Sequence, residues 1–233
     1  MKAVSLFLVV QLFIYSVKAQ DFFKVKAGEE PKKAIPATLQ YLHPQFQTGK
    51  VVFLNGTTSV AQLNYNLLLS EIHFINNNKD TLSLANEQLI KEIFVGSQQF
   101  IFDAKYGYLL IEPAPESLIR LGTKQELRVT NVERVGGYQQ SLGATSTKSY
   151  SSFSNGNASV QKLDPKGDVV FRKYGIHFFI DQNNRCYKTT KSSLHKIFPK
   201  YKKQIDSYLQ ENTIDFQNEK DLNDIIQFCR QFT

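Results

Sequence analysis

Few side chains in this chain have the type and spacing to do chemistry. They are four histidines (His43, His73, His177, His195), two cysteines (Cys186, Cys229) and two carboxylates inside strand-like runs, Glu71 and Glu112. No histidine pairs with another at helical i, i+4 spacing, and no Cys/His spacing suits zinc, so no metal site is expected. The chain carries neither a phosphate-cradling glycine-rich loop nor a Gly-x-Ser-x-Gly elbow, and no cofactor is expected. His73 and His177 fall in strands, where a hydrogen-bonded structural histidine is the default. Glu71 and Glu112 could pair for acid–base work only at a defined separation, so exposed strand residues are the simpler expectation. Catalytic residues: none are assigned. A Cys186–Cys229 disulfide would stabilise the fold by about 4 kcal/mol in the chain-entropy model if the chain is exported. Against it, Cys229 lies on the apolar stripe of a helix, where a free thiol packs as a small hydrophobe. The pairing stays open, and neither thiol has a local base in sequence.

Charge gives the first candidate contact surface. The formal net charge is +7. Residues 182–205 hold seven cations and no acid: Arg185, Lys188, Lys191, Lys196, Lys200, Lys202 and Lys203. Residues 206–224 then hold six acids against Lys220. These cations are the candidate contacts for an anionic partner, such as a polyanionic envelope glycan, lipid head groups or nucleic acid. The competing expectation, which ranks first, is that the acidic stretch folds back and neutralises them. Tyr187, Phe198 and Tyr201 could stack on bases or sugars. Tyr201 belongs to an apolar helical stripe, so these rings are expected in the core. Asn55-Gly-Thr and Asn157-Ala-Ser match the glycosylation pattern, both in turns that favour Asn anyway.

The elements that must position these groups read as mainly β. Residues 1–19 form a leader: Lys2, then an apolar run, then Val17-Lys18-Ala19, with cleavage expected after Ala19. The run is interrupted by Gln11 and is too short for a membrane span. Residues 20–135 form a β-rich region. Its lead-in is broken by Pro31, Pro36 and Pro44. Strands follow at 50–54, 60–69, 72–75, 81–84, 89–95, 98–103, 106–112 and 118–135, with a hairpin at Asn55-Gly56 and a bulge near Ser70. Residues 136–168 are a Ser/Thr/Gly-rich loop and a second candidate contact surface. Residues 169–233 give strands at 169–171 and 175–189, with a hairpin turning at Asn183-Asn184, then helices. Ser192 or Ser193 should cap the first helix, Pro199 should open the second, and Asn218 should cap the last. The fold class expected is α+β, mainly β. Antiparallel sheets, as a sandwich or partly closed barrel, are followed by C-terminal helices on the same unit.

The order of motifs is Gly49-x-Val-x-Phe, Leu63-Asn-Tyr-Asn-Leu-Leu, Phe74-Ile and Asp80-Thr-Leu, then Gly136-Gly-Tyr, then Phe198-Pro-x-x-Lys-x-x-Ile, Asp215-Phe and Asp221-Leu. In this it resembles a family of uncharacterised exported proteins of Gram-negative bacteria. The resemblance implies an envelope location, periplasmic or at the outer surface, and carries over no activity and no site residue. The functional expectation is a non-enzymatic binding or interaction protein of the envelope. Its partner would be an envelope protein or an anionic glycan or lipid surface, with nucleic acid ranked behind. The alternative is an envelope hydrolase whose site assembles only in three dimensions. No transmembrane span is expected in the mature chain.

Overall fold

The computed structural model describes residues 22–114, 117–133 and 167–232. The leader, the Asn157 sequon and nearly all of the 136–168 loop lie outside the described residues. The described chain begins with β1 (Phe22–Val25) and two single-turn helices, α1 (Pro31–Ala34) and α2 (Ala37–Gln40). Strands β2 (Gln47–Phe53), β3 (Thr58–Asn66), β4 (Glu71–Ile75) and β5 (Thr81–Ser83) follow. Next come β6 (Ile90–Val95), β7 (Gln98–Asp103), β8 (Gly107–Ile111) and β9 (Ile119–Glu133). After the loop come β10 (Asp168–Asp181), β11 (Cys186–Lys188), α3 (Lys191–Ile197), α4 (Lys202–Glu211) and α5 (Glu219–Cys229).

All the described strands join one antiparallel sheet of 11 strands, in the order β1-β10-β9-β8-β7-β6-β2-β3-β4-β5, with β11 also on β10. Asn55 and Gly56 turn β2 into β3: Gly56 sits at φ 83°, and Asn55 Oδ1 accepts the Thr57 N–H at 3.0 Å. Period-two alternation then sorts the side chains. Leu63 and Tyr65 enter the main core with Ile72, Ile93, Phe100 and Phe171. Asn64 and Asn66 face the other way and are buried beneath the lead-in, where Asn64 holds the backbone of His43 and Gln45. The sheet is not closed. It bends so far that the Leu127 N–H reaches Leu67 O at 2.8 Å and Tyr65 Oη donates to Gln125 O at 2.9 Å.

Four local expectations are corrected. The slip near Ser70 is a turn between strands and not a bulge. Asn66 Oδ1 accepts the N–H groups of Leu68 and Leu69, both at 2.9 Å, and Ser70 takes φ 57°. Residues 172–174 do not interrupt the last hairpin, because β10 pairs with β9 along its whole length. Thr190 caps α3, not Ser192 or Ser193; its hydroxyl accepts the Ser193 N–H at 3.2 Å. Pro199 does not open α4. Phe198 is locked in the core and its carbonyl takes the Tyr201 N–H at 3.1 Å, so Pro199 and Lys200 form a tight turn. Asn218 does cap α5, accepting from Lys220 and Asp221.

The helices pack on the same sheet. Ile119 and Leu121 of β9 and Phe179 of β10 share a core with Leu194, Phe198, Ile205, Leu222, Ile225, Ile226 and Cys229. Each such fully buried side chain is worth about 1.5–3 kcal/mol over leaving it in water. This core fixes the basic turn and α3–α4 against the β-body.

Candidate functional site

All seven sequence-predicted cations are exposed. Arg185 lies in the turn before β11, where it interacts with the Tyr187 hydroxyl. Lys188 ends β11, and Lys191 and Lys196 lie on α3. Lys200 precedes α4, and Lys202 and Lys203 form its first turn. Among the described residues, neutralisation by the acidic stretch occurs at one point. Asp206 Oδ1 meets Lys191 Nζ at 2.8 Å and His195 Nε2 at 2.8 Å. The Lys191 ammonium, then the His195 imidazole, hold the Asp206 carboxyl below its ordinary value. Two of the other acids are engaged elsewhere: Asp221 accepts the Asp215 N–H at 2.8 Å, and Asp215 accepts the Gln217 N–H at 2.8 Å. Among the described residues no carboxylate lies in ion-pair contact with Lys188, Lys196, Lys200, Lys202 or Lys203. The N-terminus of α4 is uncapped as well. Tyr201 supplies no side-chain acceptor there, and the first turn holds no acid. Free N–H groups and three lysines therefore concentrate positive potential at that end.

The titratable groups of the sheet are separated into two places. On β4, His73 Nδ1 bonds Tyr41 Oη at 2.9 Å, and Nε2 faces Glu71 Oε2 at 3.5 Å. Ser83 Oγ donates to the same carboxylate at 2.7 Å. This chain ties the lead-in to the sheet, and the His73 imidazole, then the Ser83 hydroxyl, lower the Glu71 carboxyl. Between the β-body and the helices, Thr123 and His177 stand opposite one another in register, with Oγ1 and Nδ1 3.0 Å apart. Burial lowers the His177 imidazole, and the Glu219 carboxylate partly offsets this. Burial raises the nearby Glu112, which Asn223 hydrogen-bonds. Glu71 and Glu112 are thus held by different partners and do not act as a pair. No group of three or more His, Cys, Asp or Glu among the described residues is arranged to hold a metal.

Both cysteines are free thiols. Cys186 packs beside the Ile101, Leu109 and Phe178 cluster, whereas Cys229 is buried under the helices. Burial pushes each thiol up to about 12, so neither is a thiolate near neutrality. Phe198 is buried and Tyr201 packs on the helical core, where it stacks on Phe232 at 4.3 Å. The half-buried stacked pair is Tyr208 and Phe228, with ring centroids 4.0 Å apart. No motif announces it. The available signal was polar residues at 204, 207 and 211 framing Tyr208 on one helical face. No protein family, no curated protein and no solved structure matches the chain.

Proposed function

We propose that this chain is a non-enzymatic interaction protein of the cell envelope, exported to the periplasm or outer surface. It meets a polyanionic glycan or anionic lipid surface through α3, α4 and the turns around them. The reading is carried by five exposed lysines without an acidic partner among the described residues, three of them crowding the uncapped N-terminus of α4. Fold stability does not account for that placement. A cation at a helix N-terminus opposes the dipole and costs a few tenths of a kcal/mol, about 0.3 or more each. An anion laid across it would meet the lysines and the free N–H groups together. The test is binding of the mature chain to polyphosphate and to vesicles containing anionic lipid, across a salt series. Binding should weaken steeply with salt and be lost when Lys200, Lys202 and Lys203 are all changed to Glu. Salt-independent binding, or an indifferent triple variant, would refute the reading.

A second reading, an envelope hydrolase, has the Thr123–His177 contact in its favour: a hydroxyl on an imidazole, with Glu219 as its charge neighbour. It ranks second because Thr123 is only 7% exposed, which leaves substrate little access to its hydroxyl. Hydrolysis of an ester panel that Thr123→Val abolishes would move it to first place.

A further inference from the structure

On the outer side of α4 and α5 lies an open depression of about 280 Å³, lined by Gln204, Ser207, Tyr208, Glu211, Phe228 and Gln231. The first four lining positions fall on one face of α4, at spacings of three and four residues. Its floor is the Tyr208–Phe228 stack, tilted by 19° and half-buried, with Phe232 edge-on to Phe228 behind it. Its rim is polar and unused by the fold. Gln204, Ser207, Glu211 and Gln231 are exposed, and none of their side chains has a hydrogen-bond partner among the described residues. The Tyr208 hydroxyl has none either. Lys203 stands one helical turn before Ser207, so positive charge flanks one end of the depression and Glu211 the other.

We propose that this depression is a sugar subsite. It takes a neutral pyranose ring of a glycan whose neighbouring unit carries a carboxylate. A pyranose has an apolar C–H face and a girdle of hydroxyls. The face suits the aromatic floor, whose ring quadrupole attracts polarised C–H groups. The hydroxyls suit two amides, a hydroxyl and a carboxylate placed around it, which donate and accept in a ring. A lipid head group would engage the lysines and leave the aromatic floor idle. A free polyanion would do the same. The chemistry therefore favours a glycan that alternates neutral and acidic sugars, with its acid directed to the Lys203 end. This deepens the proposed function and rests on it for the anionic neighbour.

Three probes separate the two ideas: hyaluronan hexasaccharide, polyphosphate and the neutral N-acetylglucosamine tetramer, each titrated calorimetrically into the mature chain. The hexasaccharide should bind the wild type. Tyr208→Ala should weaken it by about tenfold or more, whereas Tyr208→Phe should retain most of the affinity. A Gln204→Ala/Gln231→Ala variant alters only exposed, unpartnered side chains and so keeps the fold; it should weaken the hexasaccharide several-fold. Polyphosphate binding should be unchanged in all three. If both groove variants, folded by thermal melt, bind the hexasaccharide like the wild type, the subsite is refuted while the basic surface stands. If neither polyanion binds but the neutral tetramer does, and does so through Tyr208, the subsite stands and the basic-surface reading falls. If none of the three probes binds, the subsite falls, and if anionic vesicles are not bound either, the basic surface falls with it.

Discussion

Glu71 and Glu112 are both half-buried carboxylates, yet the fold displaces them in opposite directions. The His73 imidazole 3.5 Å away and the hydrogen bond from Ser83 favour charged Glu71, so its acidity is raised on folding. Its contribution is present above the unfolded value, near 4.5, and is lost as pH falls through the lower folded value. Glu112 is the reverse. Burial and the Glu219 charge disfavour its ionised form, so it costs stability at neutral pH and costs nothing once protonated in both states. Glu112→Gln should therefore raise the melting temperature at pH 7, and the gain should vanish as pH falls below about 4.5. Glu71→Gln should lower the melting temperature at pH 7 and converge on the wild type in acid. Melts of the three proteins from pH 3 to 8 read both effects. Like signs for the two variants would show that the local partners do not set these shifts.

At the scale of elements, chain ends and turns are decided by single polar side chains, which is why some were legible and others were not. Asn218 lies ahead of an acidic first turn and an apolar stripe, and it caps α5 as its pattern indicates. Asn218→Ala should cost about 1 kcal/mol. The loss should appear in urea unfolding as a lower midpoint at unchanged slope, and Asn218→Asp should restore most of it. An unchanged midpoint would mean that packing of Leu222 and Ile225 alone holds that end. Asn66 uses the same chemistry to end β3, but it sits amid an apolar run, so the sequence reads there as a strand that bulges. Thr190 outcompetes Ser192 and Ser193 as the α3 cap because β11 must end first, and that depends on a pairing partner across the sheet. The aromatic groove was hidden for a related reason. Periodicity places Tyr208 on the apolar face of α4, but only the angle of α5 decides which rings stay half-exposed.

For the whole molecule, strand identity was local information and sheet order was not. β3 to β5 and β6 to β9 follow as hairpins, each set by turn residues such as Gly96 and Gly107. Nothing near β2 signals that its second edge will take β6, nor that β1 will cross to β10, since those pairings join segments far apart in the chain with whole strands between them. The same separation governs the thiols. Cys186 lies against one face of the β10 end of the sheet and Cys229 beneath the helices on the other cluster, so the fold closes without a covalent link. This fold needs no oxidant to form. The protein should therefore melt at the same temperature with and without dithiothreitol. In the native state both thiols, pushed up to about 12, should react with a disulfide reagent far more slowly than after unfolding. A lower melting temperature in reductant would mean that a Cys186–Cys229 bridge forms. The two hydrophobic clusters would then have to come together in a way this packing does not permit.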